Sequence, residues 1–347
     1  MTEMMRAYQL LGPGRAALVE IPVPEPGPGQ IRLRTAGAGL CHSDMVVIHA
    51  DPPFFPIPST LGHEATGWVE KLGEGVTGIA VGDAYGVYFP WGCGACPPCG
   101  RGAENICNKA PTVAGFGCGA EGGMAEYLIV DDLRHLVPLG ELDPIDAAPL
   151  MCAGITTYHA IDRARRQLSP GTTAVVIGVG GLGHLAIQLL KSLTPTRIIG
   201  IDQNEEKLAQ ARRHGAHEAL IADADTAGRV RSLSGGLGAT LVIDLVGNDG
   251  SLALAQSVLA MGGQLQIVGV GGGTLPLRFH EMPRDASVSV PYAGTTRDLR
   301  NIIWLAQEGA VNADVIRVGF EEIEECYRAM EEGRLRGRAV LVPGKAP

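Results

Sequence analysis

TTAVVIGVGGLGHLAIQLL, residues 172–190, is the stretch on which the fold of the second half of the chain turns. Residues 172–177 are β-branched or small and predict a buried strand, and 184–193 predict a helix. Between them stands Gly178-x-Gly180-x-x-Gly183, with Gly181 and Leu182 inside the motif. The first glycine permits a tight turn, and the second lets the backbone approach a pyrophosphate. The third lets helix and strand pack closely, while the helix N-terminus faces the anion. Asp202 follows Gly183 by 19 residues, at the end of the next expected strand. A carboxylate there accepts hydrogen bonds from adenosine ribose hydroxyls and repels a 2′-phosphate. No arginine follows in Asp202-Gln203-Asn204, so NAD is expected over NADP.

Outward from this motif, strands are expected at 197–201, 219–221, 240–245 and 264–270, and helices at 205–214 and 251–260. Strands alternating with ten-residue helices imply a doubly wound parallel sheet of the α/β class. After about 290 come helices at 299–308 and 321–332 and a closing strand at 339–342. Upstream, 1–150 has a different texture: short strands at 30–36, 65–71 and 124–130, punctuated by turns such as PEPGPG at 24–29. Weak helical periodicity there suggests an irregular all-β domain. A length of 347 residues agrees with two domains.

Composition narrows the function. With 49 glycines the chain runs at about twice the usual frequency, which favours tight turns and close backbone approaches. A net charge of −9 without a basic block excludes a nucleic-acid surface as the expectation. The N-terminus lacks the apolar core of a signal peptide, and no apolar run approaches the roughly 20 residues that span a bilayer. A soluble, cytoplasmic protein with no membrane partner is expected.

The eight cysteines are at 41, 93, 96, 99, 107, 118, 152 and 326, four of them within one 15-residue window. Cys93-x2-Cys96-x2-Cys99-x7-Cys107 lets thiolates from a single loop close a tetrahedral shell around Zn²⁺, a structural role that leaves no place for substrate. An iron–sulfur cluster or a redox-active pair are the alternatives to zinc. Cys118 and Cys326 read as structural. The segments Gly39-Leu-Cys41-His42-Ser43-Asp44 and Gly62-His63-Glu64 are unremarkable taken singly, and spacing alone does not join them to Cys152.

The chain resembles the zinc-dependent medium-chain alcohol dehydrogenases over nearly its whole length. The resemblance is carried by GLCHSD at 39–44, GHEATGWVEKLGEGVTGIAVGD at 62–83, CGACPPCGRGAENIC at 93–107 and GGMAEYLIV at 122–130. APLMCAGITTYHA at 148–160, VIGVGGLGHLAIQLLK at 176–191 and GRLRGRAVLVP at 333–343 extend it to the C-terminus. Within the family the chain looks most like compact bacterial enzymes that act on secondary and arylalkyl alcohols.

The resemblance implies a GroES-like irregular β-barrel catalytic domain over 1–154 and 291–347, with a structural-zinc lobe at 91–110, and a Rossmann NAD-binding domain over 155–290. It implies two zinc ions per chain. Cys41, His63 and Cys152 would hold the catalytic one with Glu64 behind it, Asp44 would orient His63, and Ser43 would accept the alcohol proton. His42, Arg338, Thr156, Leu182 and Val268 would lie against NAD, and Val46, Trp91, Tyr292 and Ala293 would line the substrate pocket. The position of the usual relay histidine is Val46, which leaves His49 as the nearest downstream imidazole; Cys152 stands where some relatives have Asp. The implied reaction is reversible hydride transfer between an alcohol and NAD, giving aldehyde or ketone, by a homotetramer or dimer. A zinc-independent enone reductase of the same superfold, or a non-catalytic NAD-binding protein, are the competing readings; all three candidate ligands are present, which argues against both.

Overall fold

The computed structural model describes residues 3–109 and 115–344. Residues 1–2, 110–114 (of which 110 closes the expected lobe) and 345–347, which belong to the expected spans, lie outside the described residues. The described chain forms two compact units, one running to Ile155 and resuming at Gly294, the other Thr156–Ala293.

The first unit is organised around the strand Ile31–Gly39. It pairs antiparallel with Glu64–Leu72, placing Gly39 opposite Glu64, and with Tyr127–Val130 and Arg338–Leu341. These strands belong to a seven-stranded sheet that also holds Val315–Val318, Ala84–Val87 and Leu136–Pro138. Register shifts between Arg32 and Leu33 and between Thr35 and Gly37 break its regularity. The small residues of IRLRTAGAG serve packing: a Cβ at Gly37 would stand 2.9 Å from Val340 and 3.2 Å from the Ile145 backbone. A second, three-stranded sheet joins Arg15–Pro22, Met4–Gly12 and Ser59–Thr60. Tyr8, Leu10, Leu40, Leu61, Met124, Ile323 and Leu341 form one apolar core in this unit.

Two helices in this region have no counterpart in the expected pattern. His42–His49 follows Cys41 directly, and Ala153–Ala164 follows Cys152. Neither carries the regular apolar stripe by which a helix is read from sequence, since the first is short and the second is rich in Thr, Gly and Ala.

The second unit is a six-stranded, wholly parallel sheet in the order Glu218–Ile221, Arg197–Asp202, Thr173–Ile177, Ala239–Asp244, Leu259–Ile267, Ser287–Ser289. Every residue of Thr173–Ile177 is buried, which explains its unbroken apolar run. The chain order reverses on either side of that strand, so its carboxyl end is the switch point at which open α/β sheets bind ligands. The helices Gly183–Leu193, Glu205–His214, Thr226–Leu233 and Asp249–Val258 connect the strands. The strand expected at 264–270 begins earlier, at Leu259, because the helix before it stops at Val258.

Candidate active site and cofactor turn

Cys41 is the N-cap of the helix His42–His49, in extended conformation. Asp44, three residues on, returns its carboxylate to the cap: Cys41 N–H donates to Asp44 Oδ2 at 2.9 Å. This reciprocal arrangement satisfies a donor that the helix start leaves free. His63 follows Gly62, whose φ of +98° makes a turn that side-chain-bearing residues resist. Glu64 opens the strand paired with Ile31–Gly39, and its carboxylate occupies the space a Cβ at Gly39 would fill, 2.1 Å from Glu64 Oε2. Cys152 caps the single turn Ala148–Met151.

These elements bring the ligand atoms of Cys41, His63, Glu64 and Cys152 to within 4.8 Å of one another. Ser43 Oγ donates to Cys41 Sγ at 3.1 Å and lies 3.4 Å from His63 Nε2. His63 Nδ1 faces Asp44 Oδ1 at 3.2 Å, so Nε2 is the nitrogen turned to the cluster. Phe89 packs against the imidazole with ring centroids 5.2 Å apart.

The electrostatics are those of charges removed from water. Burial pushes the Glu64 carboxyl up to about 7, against the opposing pull of Arg338, to which it is paired. A hydrogen bond from Cys152 holds the Cys41 thiol well below its ordinary value and raises that of Cys152 in turn. Burial alone would lower His63, but electrostatic interaction with Cys152, Cys118 and Asp44 carries it well above the usual imidazole range. The donor set fits Zn²⁺: two thiols, an imidazole nitrogen and a buried carboxylate, with Glu64 Oε2 lacking a hydrogen-bond partner among the described residues.

Sequence reasoning missed two features beside the cluster. Cys118 reads as structural, and its loop borders the turn that precedes His63. Its loop packs so tightly on Gly62 that a Cβ at Gly117 would stand 2.4 Å from the Gly62 carbonyl. The run GFGCG at 115–119 was the available signal, since glycines on both sides of a cysteine mark a close backbone approach. Tyr327 was also missed; its hydroxyl donates to Asp44.

The second cluster holds Cys93, Cys96, Cys99 and Cys107, again with ligand atoms within 4.8 Å. The single turn Pro97–Gly100 brings Cys96 and Cys99 together, their sulfurs 3.4 Å apart, and Cys96 Sγ is 3.8 Å from Cys107 Sγ. Zinc–sulfur bonds of about 2.3 Å give tetrahedral edges of about 3.8 Å, so the four thiols match a closed shell. Backbone N–H groups of Cys93 and Lys109 donate to Cys107 Sγ at 3.3 and 3.4 Å. Cys326 sits on the helix Ile323–Glu331 within the apolar core.

In the second unit, Gly178 turns the chain at φ +87°. A Cβ at Gly183 would lie 2.2 Å from the Gly178 carbonyl, whereas one at Gly180 would meet nothing within 4 Å. The turn is thus closed on the side of the helix and open at Gly180, the shape a pyrophosphate needs. Asp202 accepts from Val179 N–H at 2.8 Å and from Asn204 N–H at 3.0 Å, which fixes its carboxylate beside the turn. Gly181 and Leu182 complete the loop before the helix Gly183–Leu193. Val268 N–H donates to the Asp244 carbonyl, and Thr156 is buried on the helix Ala153–Ala164.

Of the remaining expected residues, His42, Val46 and His49 are exposed along one helix. Trp91 stacks on His135 at 5.0 Å and lies 5.8 Å from Phe116. Tyr292 is half-buried and Ala293 buried, with φ +48°. Arg338 Nη2 donates to Glu64, and Arg338 Nε is buried without a hydrogen-bond partner among the described residues.

Comparison with known proteins agrees with this chemistry. Residues 27–141 match the alcohol dehydrogenase GroES-like domain, and 181–308 the zinc-binding dehydrogenase domain. An NAD-dependent alcohol dehydrogenase of Sulfurisphaera tokodaii is 36% identical, covering 98% of this chain and 100% of that one. The alcohol dehydrogenase of Aeropyrum pernix superposes with a TM-score of 0.90 at 32% identity, over 97% of this chain and 100% of that one. The acetophenone reductase of Geotrichum candidum, solved with NAD, gives 0.88 at 28% identity, over 99% and 98%. With such identity along essentially its full length, and with both cysteine clusters in place, the chain belongs to the zinc-type medium-chain alcohol dehydrogenase family.

Proposed function

We propose that this protein is an NAD-dependent oxidoreductase for primary or secondary alcohols with apolar or aryl substituents, converting them reversibly to aldehydes or ketones. The observation that carries this reading is the convergence of Cys41, His63, Glu64 and Cys152 with the Ser43 hydroxyl set against two of them. Cys41, His63 and Cys152 would hold the catalytic Zn²⁺, with Glu64 as a fourth donor, and the four-cysteine lobe would hold the structural ion. Bound there, zinc supplies Lewis acidity to a substrate hydroxyl and NAD supplies a hydride acceptor.

The chain's own groups do the rest. Ser43 takes the hydroxyl proton, standing beside both Cys41 and His63. Asp44 holds the His63 ring by its Nδ1 side, which keeps Nε2 directed at the cluster. His49, the nearest imidazole downstream of Val46, is exposed at the end of the same helix, with its Nε2 4.0 Å from Glu331. The Phe89 ring packed against His63 supplies an apolar surface beside the cluster, which fits substrates with apolar or aryl substituents. Gly178, Gly180, Gly181 and Gly183 would cradle the pyrophosphate, with Asp202 on the ribose and His42, Thr156, Leu182, Val268 and Arg338 as further NAD contacts. Converging metal donors at Cys41, His63 and Cys152 give no advantage to a metal-independent double-bond reductase.

Self-association as a tetramer or dimer fits the second unit. Its sheet ends at the short strand Ser287–Ser289, near which Met261, Leu277, Phe279 and Val290 are 63–92% exposed. Eight free cysteines fit a reducing cytoplasm.

The test is NADH formation over alcohols of graded size, with NADP as control, joined to a metal count. Wild type is expected to hold two zinc ions per chain, and Cys152→Ala and Cys107→Ser one each. Cys152→Ala should lose turnover while folded. Full activity in a folded, one-zinc Cys152→Ala variant would overturn the reading.

A further inference from the structure

Tyr327 lies on the helix Ile323–Glu331 and is 4% exposed. Its hydroxyl donates to Asp44 Oδ2 at 2.9 Å, across 283 residues of sequence, and lies 3.6 Å from Met124 Sδ. The same Asp44 oxygen accepts the Cys41 N–H at 2.9 Å, while Oδ1 faces His63 Nδ1 at 3.2 Å. Asp44 is itself only 2% exposed. A carboxylate this far from water must draw its donors from the protein, and here they are a backbone N–H and one phenol, with the His63 imidazole facing the second oxygen. The phenol is in turn immobilised: Tyr327 packs with Leu40, Leu61, Met124 and Ile323 in the core, and its ring is 6.5 Å from that of Tyr8.

We propose that Tyr327 is a positioning residue for the candidate catalytic metal site, acting through Asp44. Its hydrogen bond sets the carboxylate so that one oxygen reaches the Cys41 backbone and the other the His63 ring, fixing two donors at once. The inference rests on the assignment of Cys41, His63 and Cys152 as metal ligands made above. Without the hydroxyl, Asp44 loses one of its donors and the His63 ring loses definition, so the metal is held less tightly. Outer hydrogen-bond partners of ligands are worth 10–100-fold in metal affinity, and a group one bond further out belongs near the lower end, about tenfold.

The experiment follows zinc transfer from the full-length holoenzyme to a chromogenic chelator. The phase absent from Cys152→Ala is the catalytic-site phase. Tyr327→Phe is expected to speed that phase about tenfold and leave the four-cysteine phase unchanged. It should also shift the thiolate–cobalt absorption bands of the cobalt-substituted site, which a general loss of stability would not do. Para-aminophenylalanine at 327, which keeps a donor at the same place, should restore both. In the Asp44→Asn background, where the carboxylate is gone, adding Tyr327→Phe should change release no further; this pair also serves if the single variant does not fold. Wild-type release and cobalt bands in folded Tyr327→Phe, or additive effects of the two substitutions, would overturn the proposal while leaving the metal site standing. A wild type that binds one metal only, at the four cysteines, would overturn both.

Discussion

Arg338 and Glu64 form an ion pair inside the first unit, their side chains 4% and 0% exposed. The pair joins the closing strand Arg338–Leu341 to the strand that begins with Glu64, although the two residues are 274 positions apart. One Glu64 oxygen takes the guanidinium, and the other is left without a hydrogen-bond partner beside Cys41, His63 and Cys152. Arg338 therefore makes a buried carboxylate tolerable where a cation would be bound. Breaking such a pair from one side leaves an uncompensated charge and costs about 3–5 kcal/mol. Arg338→Met is expected to lose that much in urea unfolding, and Glu64→Gln combined with Arg338→Met should recover most of it. A single variant as stable as wild type would show that Glu64 does not need its counter-charge.

The pair also shows what was legible in the sequence. Local pattern sufficed for the parallel sheet, because Thr173–Ile177 is β-branched or small and buried throughout, and Gly178, Gly180 and Gly183 follow it at the motif's spacing. The four-cysteine lobe was legible because its ligands lie within 15 residues of one another. Cys41, His63 and Cys152 come from three elements of the first unit, and no spacing rule connects them; only the family resemblance did. Tyr327 and Cys118 stayed hidden for the same reason. Each meets the surroundings of the cluster only through tertiary packing, and a tyrosine on an amphipathic helix reads as ordinary core. The helix His42–His49 was missed because its start is defined by Asp44 returning to the Cys41 backbone.

Gly183 is the position at which the cofactor turn is least forgiving. An added Cβ would stand 2.2 Å from the Gly178 carbonyl, a backbone atom that cannot swing aside. Gly183→Ala must therefore push the helix Gly183–Leu193 away from the turn, at an overpacking cost of about 1–3 kcal/mol. The expected result is a KM for NAD raised at least tenfold with zinc content unchanged. Gly180→Ala, which meets nothing within 4 Å in the protein, should leave stability nearly intact and still weaken NAD binding. Equal stability losses in the two variants would contradict this division of roles.

Arg317 gives the first unit a pH-dependent contact. Its Nη2 donates to Asp143 Oδ2 and Asp146 Oδ1, both at 2.8 Å, tying Val315–Val318 to the helix Pro144–Ala147. Burial nudges the Asp143 carboxyl upward, but the Arg317 bond and charge and the Ile145 N–H hold it below the usual range. A lowered folded value means that the contribution is present above the unfolded value of about 3.9 and is lost as pH falls through the folded one. Because these side chains are about half exposed, the effect is at most about 1 kcal/mol. Urea midpoints of wild type and Arg317→Met, both stripped of metal, should differ slightly at pH 7 and converge in acid as pH falls through the lowered folded value. A difference that grows in acid would reverse the sign assigned to Asp143.

Glu104 ties the four-cysteine lobe to the segment that carries Trp91. It lies between Cys99 and Cys107 in sequence, and its Oε2 accepts the Gly92 N–H at 2.9 Å, next to Trp91. Arg134 completes the clamp, donating to the Gly92 carbonyl at 2.7 Å, and the neighbouring His135 ring stacks on Trp91 at 7°. Metal bound by the lobe thus holds a side chain expected in the substrate pocket, without touching substrate itself. Glu104→Ala leaves the Gly92 N–H unpaired and should cost about 1–3 kcal/mol. The kinetic consequence is specific: KM for bulky aryl alcohols should rise several-fold, while kcat for a small alcohol and the metal content change little. Equal loss of kcat on both substrates would mean that the clamp supports the catalytic cluster as a whole rather than Trp91.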